Sequence, residues 1–191
     1  GLDVSRFGND KTALCKRQGS IVTEVRSWSG LDLMQTVGRV VAEYESLLPS
    51  KRPREILVDS IGLGSGVVDR LRELELPVRG INVAEAPSMG ATYLNLRSEL
   101  WFKTKGWFEN RACKLPKDDQ LLAELTGIRY SFTSSGKMKA ESKDEMRKRG
   151  LASPDLADAL CLTMASDAAT ALSGAFSSWK GEIKRNLRGI A

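Results

Sequence analysis

Ile56-Leu57-Val58-Asp59-Ser60-Ile61-Gly62-Leu63-Gly64-Ser65-Gly66-Val67-Val68-Asp69-Arg70-Leu71 is the stretch on which the fold turns. A continuous apolar run, Ile56-Leu57-Val58, reads as a strand that stops on the carboxylate of Asp59. The glycine-rich segment 62–66 follows, and the pattern predicts a helix near 66–75 and a further strand over 78–83. Strand, helix, strand at this spacing is a parallel pair joined by a helical crossover. Upstream, residues 31–48 place Leu33, Val37, Val40, Val41, Tyr44, Leu47 and Leu48 at helical spacing until Pro49 and Pro53 end the run. Before them come three short runs, 1–5, 12–17 and 20–28, separated by Gly8-Asn9-Asp10 and Gln18-Gly19. They read as an antiparallel meander. Downstream, the pattern predicts helices over 92–108 and 118–127 and a hairpin of 129–133 with 137–141 around Ser134-Ser135-Gly136. A last helix opens with Ser153 as N-cap and Pro154 at the first helical position.

The order is β-β-β-α-β-α-β-α, then helix, hairpin and helix. This is an α/β fold with a ribonuclease H-like mixed sheet, an antiparallel meander plus parallel strands, flanked by helices and carrying an added β-hairpin. Nucleases, integrases, exonucleases and sugar kinases share that architecture, so the site has to decide the function.

Composition narrows the chemistry. The 191 residues carry a net charge of +5 and contain no histidine, which excludes Ser-His-Asp triads, Cys-His dyads and imidazole zinc sites. Three widely spaced cysteines, Cys15, Cys113 and Cys161, argue against a disulfide framework and for a reducing compartment. No apolar run reaches membrane-spanning length, so a soluble, intracellular protein is expected. The chain opens directly on a strand, which suggests a C-terminal domain of a longer protein. Residues 1–173 read as one domain, and 174–191, with Lys180, Lys184, Arg185 and Arg188, as a basic mobile tail.

Three carboxylates stand in apolar surroundings on separate elements. Asp3 interrupts the first strand, with Leu2 and Val4 on the opposite face. Asp59 closes the most apolar strand. Asp158, within Ser153-Pro154-Asp155-Leu156-Ala157-Asp158-Ala159-Leu160, lies beside the apolar arc of the last helix. Taken singly, each has a structural reading as turn-former, cap or seam residue. Together they need compensation, because crowded buried carboxylates repel and resist ionisation. Hard divalent ions with oxygen ligands supply it, and two such ions hydrolyse a phosphodiester without histidine. Asp155, in the first helical turn, complements the helix dipole and is the secondary metal candidate.

The sequence resembles the C-terminal nuclease domain of the large terminase subunit of tailed bacteriophages. The likeness runs through the stretch opening Gly1-Leu2-Asp3-Val4-Ser5, the Val58–Leu71 block, Leu122-Ala123-Glu124-Leu125, Arg129-Tyr130-Ser131-Phe132, Lys139-Ala140-Glu141-Ser142-Lys143 and the block from Ser153 to Leu160. It implies that Asp3, Asp59 and Asp158 hold two Mg²⁺ or Mn²⁺ ions in an endonuclease that cuts concatemeric viral DNA during genome packaging. It also implies an ATPase motor domain, a small terminase subunit and a portal as partners, and the cytoplasm of an infected bacterium as location. No Gly-x-x-x-x-Gly-Lys-Ser/Thr loop occurs here, so no ATPase activity is expected of this chain. Neither a membrane partner nor a small-molecule cofactor is expected.

Lys137, Lys139, Lys143, Arg147, Lys148 and Arg149, set against Glu141, Asp144 and Glu145, form a basic segment suited to the backbone of double-stranded DNA. Glu141 is the exception within it, a candidate outer metal contact or partner of Lys143. Glycines 62, 64 and 66 read as backbone freedom beside the metal site, and Tyr93, Trp101, Phe102, Trp107 and Phe108 as core. Two other readings stay open: a catalytically silent DNA-binding or packaging module, and an actin-like ATP-binding half-domain lacking its second lobe.

Overall fold

A computed structural model describes residues 1–5 and 10–166. Five strands form the central sheet: β1 (Leu2–Asp3), β2 (Thr12–Gln18), β3 (Ile21–Trp28), β4 (Ile56–Asp59) and β5 (Val78–Ile81), in the order β3-β2-β1-β4-β5. β1, β2 and β3 are the antiparallel meander; β4 is parallel to β1, and β5 parallel to β4. The crossovers are α1 (Leu33–Glu45) and α2 (Leu63–Glu73). Then follow α3 (Leu96–Glu109), α4 (Asp119–Gly127), a separate hairpin of β6 (Tyr130–Phe132) with β7 (Met138–Ala140), α5 (Lys143–Lys148) and α6 (Asp155–Leu162). This is the mixed sheet flanked by helices, with its added hairpin, that the order of elements predicts. The expected tail, 174–191, lies outside the described residues.

Strand alternation divides the core in two. Leu2, Leu14 and Val58 pack with Val37 and Val40 of α1 and Val67, Val68 and Leu71 of α2. Ala13, Cys15, Leu57 and Ile81 pack on the other face, against Leu100 and Trp101 of α3, Leu121 of α4 and Leu156, Leu160 and Cys161 of α6. Every residue of α6 is buried, which is why this helix combines leucines with the small Ala157 and Ala159. Asp3 follows Leu2 and Asp59 follows Val58, so the two-residue period turns both carboxylates toward the α6 face.

Several element ends differ from the sequence expectation, each for a local reason. The β1 ladder stops at Asp3 because the Thr12 hydroxyl takes over: it accepts from the Ser5 N–H and donates to the Ser5 carbonyl. β5 ends at Ile81 because Asn82 turns the chain, its side chain accepting from the Ala84 N–H. α3 starts at Leu96 rather than near 92, since the Asn95 side chain caps the Ser98 N–H. The preceding residues instead hold the hairpin, through Leu94 N–H to the Met138 carbonyl and Met138 N–H to the Thr92 carbonyl.

α2 starts at Leu63, so Gly64 and Gly66 are helical rather than loop residues. Gly62 makes the turn with φ +60°, and Gly64 lets the helix lie against β4: a Cβ there would sit 1.6 Å from the Asp59 carbonyl oxygen. At α6, Pro154 itself is the cap residue, with φ −84° and ψ 57°, and no side chain of its own segment caps the helix. Ser153 therefore does not act as the expected N-cap; its buried hydroxyl has no hydrogen-bond partner.

Candidate metal centre

The parallel register sets Leu2 beside Val58, and this brings Asp3 and Asp59 to the same level at the carboxyl ends of β1 and β4. α6 crosses the face they point to and adds Asp155 and Asp158. Asp3, Asp155 and Asp158 are all buried, whereas Asp59 is half-buried at the rim. Asp59 accepts from the Ile61 N–H at 3.1 Å, which folds the chain into α2.

Lys143 joins the cluster. It is the first residue of α5, whose start is fixed by a capping box between Ser142 and Glu145. Its ammonium lies 2.9 Å from Asp3 Oδ2, 3.2 Å from Asp155 Oδ1 and 3.8 Å from Asp158 Oδ2. The three buried carboxylates thus share one positive charge. Burial pushes the Asp3 carboxyl up to about 7, and repulsion from Asp158 and Asp155 adds to this against the pull of Lys143. Burial likewise raises Asp59. Lys143 moves up in turn, because attraction to the surrounding carboxylates outweighs its own desolvation, so it stays protonated.

Asp158 is held from the other side as well. Trp101 Nε1–H donates to Oδ1 at 2.8 Å, and the Arg97 guanidinium reaches both oxygens. Neither residue is legible as functional in the sequence, where Trp101 reads as core. One signal does point there: Arg97, Trp101 and Thr104 share the inward face of α3, and a cation on such a face requires a buried anion.

The start of α6 is capped from another helix. Glu124 of α4 accepts the Ala157 N–H at 2.9 Å and also bonds the Leu156 N–H, while Gln120 donates to its other oxygen. A carboxylate at a helix N-terminus satisfies otherwise orphaned donors and complements the dipole. Glu124→Ala is therefore expected to cost about 1–2 kcal/mol in urea unfolding, with Glu124→Gln recovering part of it through its remaining acceptor oxygen.

The basic segment is dispersed by its contacts. Lys143 lies among the carboxylates. Arg149 pairs with Glu141, at 2.5 Å, so Glu141 bonds neither Lys143 nor the metal candidates. The Glu141 carboxylate also accepts the Arg129 N–H, which clamps the hairpin base to the end of α5. Arg147 pairs with Asp10 and Asp144, and Lys139 with Glu145. Lys137 and Lys148 have no ion pair among the described residues.

A cavity of about 360 Å³ opens over the cluster, lined by Asp3, Asp59 and Asp158 together with Arg97, Lys139 and Lys143. Among the described residues no three acidic or thiol side chains converge tightly enough to hold an ion as they stand. What converges is carboxylate oxygen around an ammonium. The donor set is nevertheless that of a hard divalent ion: all oxygen, all anionic, already gathered about a positive charge.

No family model and no curated protein matches the sequence. Solved structures do. The nuclease domain of the large terminase subunit gp2 of bacterial virus Sf6 superposes with a TM-score of 0.75 at 21% identity, over 86% of either chain. The large terminase nuclease from thermophilic phage G20c, with bound magnesium, gives 0.64 at 18% identity over 85% of this chain and 77% of that one. The Thermus phage P74-26 large terminase nuclease domain gives 0.62 at 16% identity, over 86% and 76%. Other structures of these domains contain manganese, calcium or cobalt. At such identities the likeness is one of fold, and it extends over 85–86% of this chain.

Proposed function

We propose that this chain is a divalent-metal-dependent DNA endonuclease of the large-terminase type, which cuts concatemeric viral DNA during genome packaging. The observation that carries the reading is the convergence of Asp3, Asp155 and Asp158, three buried carboxylates from two elements of the core, on a single cation beside Asp59. Two Mg²⁺ or Mn²⁺ ions bound there would activate a water and stabilise the departing oxygen of a phosphodiester. On this reading the partners would be double-stranded DNA, an ATPase motor, a small terminase subunit and a portal, in the cytoplasm of an infected bacterium; the likeness in fold to terminase nuclease domains supports it.

The chain's own contribution is placement. β1 and β4 fix Asp3 and Asp59 side by side through their ladder. Trp101 occupies Oδ1 of Asp158, while Oδ2 faces Lys143 at 3.8 Å and the Arg97 guanidinium at 3.3 Å. Asp155 accepts the Lys11 N–H on Oδ2, at 2.7 Å, so its Oδ1 is the oxygen left toward the cluster. Lys143 keeps the carboxylates together until divalent charge replaces its own. Lys137 and Lys148, without an ion pair among the described residues, would meet phosphate.

The deciding experiment is cleavage of plasmid DNA in Mg²⁺ or Mn²⁺ with EDTA as control. Linearised or nicked product that depends on the ion is expected, and none in any divalent ion returns the chain to the silent DNA-binding reading. Binding should be weakly sequence-selective and salt-sensitive. Two phosphate contacts, from Lys137 and Lys148, give a log–log slope of about −1.8, a loss of roughly tenfold in affinity for a fourfold rise in salt. Fluorescence anisotropy in Ca²⁺ across a salt series measures it, and a flat response removes these lysines from the interface.

A further inference from the structure

We propose that Arg97 is a working cation of the site, which neutralises Asp158 in the ion-free protein and becomes a ligand of the DNA phosphate once divalent ions occupy the carboxylates. The proposal rests on the nuclease reading and deepens it.

The geometry separates how Arg97 is tethered from what it neutralises. Its Nη1 donates to the Glu141 carbonyl oxygen at 2.6 Å, a short bond to backbone that anchors the guanidinium at the base of the hairpin. Its contacts to Asp158 are looser: Nε to Oδ1 at 3.2 Å, Nη2 to Oδ1 at 3.0 Å and Nη2 to Oδ2 at 3.3 Å. Charge-assisted pairs in good geometry are closer, about 2.7–2.9 Å. Asp158 also has its own orienting bond, the 2.8 Å contact from Trp101, on a helix buried along its whole length. Holding Asp158 in place is thus within the means of Trp101 and α6. Arg97 adds charge, and it does so from the cavity wall.

Charge balance gives that cation a second use. Asp3, Asp59, Asp155 and Asp158 face two cations, Arg97 and Lys143, so the ion-free cluster is short of positive charge. Two divalent ions would balance the four carboxylates by themselves. Arg97 and Lys143 would then be left without counter-charge in a partly buried cavity, a costly state unless an anion enters. A phosphodiester brings one negative charge, and hydroxide attack adds a second as the transition state forms. Preorganised donors aimed at such developing charge are the strongest form of electrostatic catalysis. A guanidinium tethered by backbone at one nitrogen still presents a pair of N–H donors to two phosphate oxygens.

An orienting role and a phosphate role predict opposite changes in metal affinity. If Arg97 competes with ions for Asp158, Arg97→Gln should bind Mn²⁺ at least about threefold more tightly without DNA, followed by the electron paramagnetic resonance of free Mn²⁺. The same variant should lose affinity for DNA in Ca²⁺ and cut roughly a hundredfold more slowly. Arg97→Lys keeps the charge but loses the fork and its backbone tether, so it should recover only part of the cleavage and stay at least about tenfold below wild type. Unfolding midpoints of both variants report whether the fold is kept, and Arg97→Lys carries the test if the glutamine variant does not fold. Weaker Mn²⁺ binding together with slower cleavage would reduce Arg97 to a holder of Asp158 and overturn the proposal, as would cleavage at the wild-type rate. Failure of the nuclease reading looks different, because the wild-type protein then cuts in no divalent ion.

Discussion

Asp3→Asn is expected to lower metal-dependent cleavage by roughly a thousandfold or more while leaving the fold intact. The substitution keeps shape and volume, so nothing in the packing of β1 against α6 changes. It removes one of the charges that gather Lys143, Asp155 and Asp158. Stability should shift with pH in a defined direction. Burial and neighbouring carboxylates raise Asp3 from 3.8 to about 7. The folded protein therefore holds this proton more tightly than the unfolded chain, and metal-free wild type loses stability as pH climbs through that window. The asparagine variant has no such proton to lose and should show a flatter pH profile there, measured by urea unfolding in EDTA. Full cleavage by the variant would remove Asp3 from the site. Asp155→Asn is expected to be nearly as severe, because the structure places Asp155 on the same ammonium as Asp3 rather than in the purely dipole-complementing role its helical position suggests.

Gly64→Ala should be the most damaging small substitution in the fold. Its Cβ would lie 1.6 Å from the Asp59 carbonyl oxygen and 2.8 Å from the carbonyl carbon, and backbone cannot step aside as a side chain can. Either α2 moves off the sheet or the end of β4 bends. We expect a loss of about 3 kcal/mol or more, the upper range for overpacking, or about 10 °C in Tm. Since Asp59 is the residue displaced, cleavage should fall in whatever fraction remains folded. Gly38 is the control: it is helical, and a Cβ at that position would meet no atom within 4 Å, so Gly38→Ala should raise stability by about 0.5–1 kcal/mol. Equal, small effects at both positions would mean that α2 does not depend on close contact with β4.

The sheet and three of its carboxylates are legible in the sequence because short-range periodicity carries them. Alternation sends Asp3 and Asp59 away from Leu2 and Val58, and the helical wheel sets Asp158 beside the apolar arc of α6. What periodicity cannot carry is pairing. Lys143 reads as one more cation in a basic run, yet its partner Asp3 is 140 residues away. Arg97 and Asp158 are 61 apart, and Glu124 and the helix it caps are 33 apart. Glu141 shows the same limit over a short distance. Lys143 is its near neighbour in sequence, but a helical turn carries Arg149 back to it instead. The glycines are ambiguous for a related reason: 62, 64 and 66 look alike as letters, and only the approach of α2 to β4 separates a turn-former from a packing contact.

Every residue of α6 is buried, and it delivers two of the four carboxylates together with a large share of one half of the core. In the order in which a ribosome makes the chain, the meander, both crossovers and the hairpin all precede it. A nascent polypeptide that has not yet reached Asp155 can pair its strands, but one face of its sheet lacks a cover and Asp3 lacks its neighbours. Such long-range closure is slow to form. The carboxylate cluster is therefore complete only once α6 has emerged, and no fragment that stops short of this helix can assemble it.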